Sequence, residues 1–458
     1  MSTRIRFQPE AARAGLQPIE LMPPTDRKST QRERLLSAII AVTNRRGYAA
    51  ATVSAVIAEA GVSRPTFYDY FVDRDDCFRQ AIEDVQQELL ATIEDALEQL
   101  PSSECGASAI RALLSYAEAR PARARYLMGE SMTGGPGALD ARDRAIAEVA
   151  AAIERSQAGA QGDDLLPDLE SRVLVGTVVR MIATRPRRGE AGVLKLADEL
   201  SGWLSSFARP SSAQRWQTLS PVPVGPRSPH VPELPLQRMP GVLPPGRPRL
   251  SEQEIGENHR LRILYATARM AELKGYTATT VAEITRLASV DGRVFYRHFT
   301  DKQEAFAAVH EIGFQQVMDA TAKAFFSAEG WPQRSWEAAR ALTGLLQANP
   351  LVAHVGFVEA YAVGQATVQR IEDSHTAFMF FLQEGLVHTA PGETPSRVAM
   401  EAIIASVFEV IYLQTRRGGE LQIAGMLPHV AHLWLTPFLG VDETDDFIDR
   451  QLALVLDR

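Results

Sequence analysis

The sequence predicts an all-α protein of two related helical halves, and three observations carry that expectation. Apolar residues recur at three-to-four spacing through most of the chain, as in the stripe Leu35, Leu36, Ile39, Ile40 and Thr43, which is the period of an amphipathic helix. A short pattern occurs twice at a constant offset of 228 residues: Gly47-Tyr48, Thr52-Val53, Ala60, Val62, Phe67-Tyr68, Phe71, Asp73 and Phe78 return as Gly275-Tyr276, Thr280-Val281, Ala288, Val290, Phe295-Tyr296, Phe299, Asp301 and Phe306. Between the copies, eleven prolines fall from Pro210 to Pro248, a density that forbids helix and favours extended, solvated backbone. The 458 residues, 45% apolar and 23% charged, suit a globular protein of several domains.

In chain order, residues 1–28 form a polar arm without the apolar segment of a secretory signal. Residues 29–89 hold the first copy of the pattern and 90–208 a further helical block. The linker is 209–256, the second copy lies in 257–317, and a second helical block fills 318–458. Helices are expected over Arg32–Arg46, Asp75–Leu100, Leu165–Ala183, Leu194–Phe207, Ser396–Gln414 and Ile423–Leu435, each from its apolar repeat. In Asp75–Leu100 the repeat is Phe78, Ile82, Val85, Leu89, Ile93 and Leu97. As a flexible coil the linker would span roughly 35 Å.

Each copy reads as helix, turn, helix. In the first, Gly47 can adopt the positive φ that stops a helix, and Thr52 is placed to cap Val53–Ala60. Gly61 turns the chain, and Ser63 caps a short helix with Pro65 in its first turn, where the missing N–H costs nothing. Phe67 and Phe71 face inward, leaving Arg64, Thr66, Tyr68 and Tyr70 outside; Asp73 opens the next helix with Asp76 as a capping-box-like partner. In the second, Thr280 and Glu283 make a capping box, and Asp291 takes the place of Ser63. Gly292-Arg293-Val294 replaces Arg64-Pro65-Thr66. Phe295 and Phe299 face inward, with Arg293, Tyr296, Arg297 and His298 outside, and Asp301 and Glu304 cap a helix whose first turn holds Lys302. A short helix with an outward face of Arg, Tyr, Thr and His meets the needs of a recognition helix, which enters the major groove and touches base edges and phosphates. N–H groups at the helix starts add phosphate contacts.

Ala60-Gly61-Val62-Ser63, Thr66-Phe67-Tyr68-Asp69-Tyr70-Phe71, Arg74 and Phe78 resemble the DNA-binding domain of TetR/AcrR-type transcriptional regulators. Ala288-Ser289-Val290-Asp291, Val294-Phe295-Tyr296-Arg297-His298-Phe299 and Asp301-Lys302 are similar to a more diverged member. The resemblance covers about 50 residues in each half. It implies a helical ligand-sensing and dimerisation domain after each motif, and two recognition helices presented to one operator. Carried over by position, Thr66, Tyr68 and Tyr70 would touch DNA in the first unit and Arg74 a phosphate; Tyr296, His298 and Lys302 match in the second. With the helix starts and outward residues, the DNA-binding set is Thr52, Ser63, Arg64, Pro65, Thr66, Tyr68, Tyr70 and Arg74, then Thr280, Arg293, Tyr296, Arg297, His298 and Lys302. Arg247 and Arg249, flanked by Gly and Pro, are either a minor-groove arm of the kind that precedes many such domains or solubilising charges of an ordinary linker. Two departures stand out: Asp291 puts an anion where Ser63 stands, and Val294 removes the hydroxyl of Thr66. The second copy is therefore expected to bind more weakly, to read another sequence, or to be a dimerisation relic.

The net charge of −8 excludes a protein that coats DNA through its whole surface, but not a local basic face. Charge is uneven: Arg209–Leu250 holds six arginines and one acid, Glu233, whereas Asp442, Glu443, Asp445, Asp446 and Asp449 are expected to form a solvated face. Cys77 and Cys105, the two cysteines, have no metal-ligand or redox spacing and suit a reducing cytoplasm. No catalytic constellation, metal site or cofactor motif can be named. His429 and His432 read as a helix-surface pair, and Gly134-Gly135-Pro136-Gly137 as a loop. No stretch approaches the run of apolar residues that a membrane span needs, so no membrane partner is expected. Phe357, Tyr361, Phe378, Phe381, Phe408 and Tyr412, and Tyr126, Met128, Met132 and Trp203 in the first half, are core residues or the lining of an effector pocket. The expected protein is a cytoplasmic, sequence-specific DNA-binding regulator, a repressor released by a small-molecule effector. Its partners are a double-stranded operator and either its own second half, as an intrachain pseudo-dimer through Ser171–Phe207 and Ser396–Leu435, or a second copy as a homodimer. The acidic pI near 5.7 and Asp291 motivate the alternative, a ligand-binding or protein-interaction module with one or both DNA-reading helices inactive.

Overall fold

Side-chain caps set the starts of the first four helices in each half. The computed structural model describes residues 30–456 except 99, 226–227, 233, 235, 244–249, 390–393 and 418–420; the arm 1–28 and the pair Arg247 and Arg249 lie outside the described residues. The first half runs α1 (Gln31–Arg46), α2 (Val53–Ala60), α3 (Arg64–Tyr70), α4 (Arg74–Leu97), α5 (Cys105–Ala119), α6 (Pro121–Met128), α7 (Pro136–Gln157), α8 (Ser171–Thr184) and α9 (Ala197–Ser205). The second runs α10 (Glu252–Lys274), α11 (Val281–Ala288), α12 (Gly292–His298), α13 (Lys302–Phe326), α14 (Trp331–Ala348), α15 (Pro350–His354), a π-helical turn Val355–Glu359, α16 (Ala360–Val363), α17 (Gln365–Gln383), α18 (Arg397–Arg416), α19 (Leu427–Leu439) and α20 (Val441–Leu456). The protein is all-α. Capping boxes open both long first helices: Thr30 with Glu33 at α1, and Ser251 with Glu254 at α10.

Leu165–Pro167 departs from the expected helix. It is a strand, β1, paired antiparallel with β2 (Ala208–Pro210), Leu165 opposite Pro210. Pro167 explains the difference, because a helix running through it would lose a hydrogen bond and clash with the preceding turn. The helix starts after Glu170, whose side chain accepts the Val173 N–H at 2.9 Å.

The linker also departs from expectation: its first part is a strap docked on the second half. Trp216 is buried, stacks on His432 with centroids 5.1 Å apart, and donates from Nε1 to Asp445 at 2.9 Å. Arg209 pairs with Asp445 at 2.6 Å and Arg215 with Asp449 at 2.6 Å. Val222 N–H donates to the Gly425 carbonyl, and Leu219, Leu234 and Leu236 are buried. Part of each charge feature thus explains the other, since Arg209 and Arg215 hold Asp442, Asp445 and Asp449 of α20. His429 and His432 are buried beneath the strap, and burial pushes the His432 imidazole down to about 3.

The halves meet along α8 and α18. At this seam Arg180, nearly buried, donates to Glu409 at 3.1 Å and to the Tyr361 hydroxyl at 2.7 Å. Gly176 lies so close to the Glu409 carboxylate that a Cβ there would collide with it. Tyr412 and Arg416 of α18 reach Asp143 of α7 at 2.8 and 3.0 Å. Among the described residues α18 is the one helix long and apolar enough by itself to cross a membrane, but 72% of that window is buried in the protein.

Candidate nucleic-acid interface

The two helix-turn-helix units repeat their anchors side chain for side chain. Arg34 of α1 donates to the Ala60 carbonyl, and Arg262 of α10, at the same 228-residue offset, donates to the Ala288 carbonyl at 2.7 Å. Each arginine thereby satisfies a helix C-terminus that has no intrahelical donor. This pair was available in the repeat and escaped the sequence analysis. Gly61 turns the first unit with φ 62°; Ser289 does so in the second with φ 49°, the one non-glycine residue at positive φ among the described residues. Below the recognition helices Phe67, Phe71, Phe295 and Phe299 are buried, and the turn aromatics pack edge-on: Tyr48 on Phe78 at 4.8 Å, Tyr276 on Phe306 at 5.1 Å.

Burying those rings leaves the outward residues where the periodicity placed them. Tyr68 is 49% exposed, Tyr70 40% and Tyr296 62%. Thr52 caps α2 and Thr280 caps α11. Ser63 Oγ accepts the Thr66 N–H at 3.2 Å and lies 2.8 Å from the Thr66 hydroxyl, while the Arg64 guanidinium sits 5.8 Å from the Tyr68 ring centroid. Pro65 is exposed in the first turn. In the second unit Asp291 accepts the Arg293 N–H at 2.8 Å, so its charge is spent on the positive end of α12. Arg293 and Arg297 are exposed and His298 is half-buried; burial, with His259, Arg260 and Arg297 beside it, pushes the His298 imidazole down. Helix α3 thus sets Arg64 against Asp69, whereas α12 carries Arg293 and Arg297 with no acid within its span.

Arg74 and Lys302 are turned inward. Arg74 donates to the Tyr48 hydroxyl and to Asp75, both at 2.8 Å, and lies 4.2 Å from the Tyr48 ring centroid. Lys302 donates to the carbonyls of Tyr276, Thr277 and Thr279 at 3.0, 3.1 and 2.8 Å, and lies 4.5 Å from the Tyr276 ring centroid. An ammonium has three N–H groups, so Lys302 keeps none for a phosphate.

Residues 35–81 and 263–309 each match the sequence family described as "Bacterial regulatory proteins, tetR family". Both units are tetR-family domains. Among solved structures, the chain is similar to the transcriptional regulator FadR from Bacillus subtilis in complex with stearoyl-CoA, at 20% identity and TM-score 0.32 over 38% of this chain and 96% of that one. It is also similar to a TetR family transcription regulator from Marinobacter aquaeolei VT8, at 18% identity and TM-score 0.29 over 45% of this chain and 97% of that one. A putative TetR-family transcriptional regulator from Syntrophomonas wolfei matches at 19% identity and TM-score 0.24, over 44% and 94% of the two chains. A comparison with curated proteins gives no match.

The bodies behind the two tetR-family domains differ. In the second, a cavity of about 950 Å³, mouth included, opens between α13, α14, the π-helical turn, α17, α18 and α19. Of the aromatic residues singled out in the sequence, Phe357, Phe378, Phe381 and Phe408 line it; Tyr361 and Tyr412 instead hydrogen-bond across the seam to Arg180 and Asp143. In the first body a space of about 250 Å³ remains beside Leu89, Met128 and Ile146; Tyr126, Met132 and Trp203 are buried in the core. The π-helical turn also reaches the second DNA-binding domain, since buried Glu359 accepts the Tyr276 N–H at 2.7 Å. Pro136 of the first half presses on the same turn, where a Cβ at Gly275 would meet its Cδ at 3.0 Å.

Proposed function

We propose that this protein is a sequence-specific DNA-binding transcriptional regulator that reads duplex DNA with both α3 and α12. The observation that carries the proposal is the pair of short helices with identical buried anchors and different outward faces. Arg64, Pro65, Thr66, Tyr68 and Tyr70 form one reading surface, with Thr52 and Ser63 at the flanking helix starts. Arg293, Tyr296, Arg297 and His298 form the other, with Thr280 at the start of the flanking helix α11. Arg74 acts by holding the Tyr48 turn, and Lys302 leaves the contacting set. Function is by binding, not turnover, in the cytoplasm where the DNA is.

The finer reading is a repressor whose halves pair within one chain and whose operator affinity an effector lowers. The α8–α18 seam, with its buried Arg180–Glu409 pair, supports intrachain pairing. The cavity supports an effector site, and its wall is continuous with Glu359, so an occupant that moves the π-helical turn also moves the Tyr276 turn. Because the two reading faces differ, the operator is an imperfect palindrome, with half-sites one duplex turn (roughly 34 Å) or a multiple of it apart. Selection from random duplexes with the full chain tests this. Two unlike half-sites are expected, Arg64→Ala with Tyr68→Ala erasing one and Arg293→Ala with Arg297→Ala the other. Absence of any enriched sequence would overturn the proposal in favour of a ligand-binding module.

A further inference from the structure

The repeat that aligns the DNA-binding domains continues into the helices behind them, and there it changes character. Ile82, Val85, Leu89 and Ile93, all buried in α4, correspond at the same offset to His310, Gly313, Val317 and Thr321 of α13. Four large aliphatic side chains are replaced by shorter or polar ones, and all four replacements line the second cavity. The first body is filled where the second is hollow.

The wall has a definite chemistry. Among the described residues no Asp, Glu, Lys or Arg lines the cavity. His310 and Ser335 are more than nine-tenths buried, and among the described residues His310 Nδ1 and Ser335 Oγ have no hydrogen-bond partner; the same holds for Trp434 Nε1. Buried polar atoms of this kind are normally paired, so their place on a cavity wall marks where a bound molecule would put its own polar group. Burial, with Arg370 nearby, pushes the His310 imidazole down to about 4, so the ring is neutral at pH 7 and can donate or accept. From His310 to Thr321 the cavity follows three turns of α13, about 16 Å of helix.

We infer that the second body alone holds the effector site, and that it takes an uncharged, elongated, largely apolar molecule with a hydrogen-bonding group for His310 or Ser335. The inference rests on the regulator proposal for its biological use. A charged head group would be stripped of water against an apolar wall with no counter-ion, at high cost.

The test uses the full chain and 1,6-diphenylhexatriene, an uncharged rod whose fluorescence rises in apolar surroundings. One probe per chain is expected. Installing the first half's residues, His310→Ile with Thr321→Ile, should weaken probe binding by about tenfold or more while helical content is retained. In wild-type protein, 1-dodecanol should displace the probe at about one tenth the concentration needed for dodecanoate or dodecylammonium, or less. Two equivalent probes per chain, undiminished binding in the filled variant, or displacement by dodecanoate equal to that by dodecanol would overturn the inference. Probe binding is read without DNA, so a failure of the regulator proposal would appear separately, as lost operator selection with probe binding intact.

Discussion

In the first DNA-binding domain the turn at Gly47–Tyr48 is held by its own residues: Arg74 and Asp75 bond the Tyr48 hydroxyl, and a Cβ at Gly47 would meet nothing within 4 Å. In the second, the equivalent turn is held from outside as well, by Glu359 on the tetR-family domain's own helical body, and Pro136 from the other half lies where a Cβ at Gly275 would meet it. The two domains share their buried scaffold and differ in what grips it. The difference indicates where information can enter. The Tyr48 hydroxyl takes its polar partners from its own domain, with Asn44 nearby donating to the Ala122 carbonyl of α6, whereas the Tyr276 turn takes a backbone acceptor from Glu359 beside the cavity; under the proposed function that bond is where an occupant of the cavity would be felt.

The largest expected effect falls on the seam that joins the two halves. Glu409→Gln leaves Arg180 buried at the seam without its counter-charge, and losing one partner of such a pair costs about 3–5 kcal/mol. Thermal unfolding should fall accordingly, with exchange protection lost on both sides of the seam; loss confined to one half would show that the seam does not join them. Acid separates the halves next. All nine histidines lie at or after His230, and burial holds His310 near 4 and His432 near 3. A depressed folded-state value means stability that is present above about 6.5 and lost as pH falls toward 4 and 3. At pH 5 that loss is about 2 kcal/mol for each of these two histidines. Hydrogen exchange at pH 7 and 5, corrected for intrinsic rate, should show α13 and α19 loosening while α4 does not. The third effect is smaller and local. Glu359→Leu removes the acceptor of the Tyr276 N–H, worth about 1–3 kcal/mol, and should raise exchange in α10–α12 and leave α1–α3 unchanged. Equal change in both domains would remove the clamp as their distinguishing feature.

What was legible in the sequence was what residues decide among near neighbours. Thr52, Ser63, Thr280 and Asp291 cap helices because a short side chain reaches an N–H two or three residues on, and Phe67 with Phe71 faces inward through helical spacing alone. The strap was not legible. Arg209 finds Asp445 and Trp216 finds His432 across more than 200 residues, and nothing local marks those pairings, so a proline-rich segment read as free coil. Lys302 was named for its position in the family motif, and a motif position does not show that three carbonyls of the preceding turn lie within its reach. The cavity stands between these cases. Its signal, Ile82 against His310 and Ile93 against Thr321, is present in the repeat, but a swap of side chains shows a cavity only once the facing helices are in place.

The central claim is that one chain carries two unlike readers of DNA, and exchanging a reading helix tests it most directly. Replacing Asp291–His298 by the eight residues Ser63–Tyr70 gives both domains the same face while keeping the inward phenylalanines. Selection of bound duplexes should then turn from an imperfect palindrome to a symmetric one whose two halves match the site of the first domain. An enriched sequence identical to that of the unaltered protein would contradict the claim, because α12 would then read no DNA.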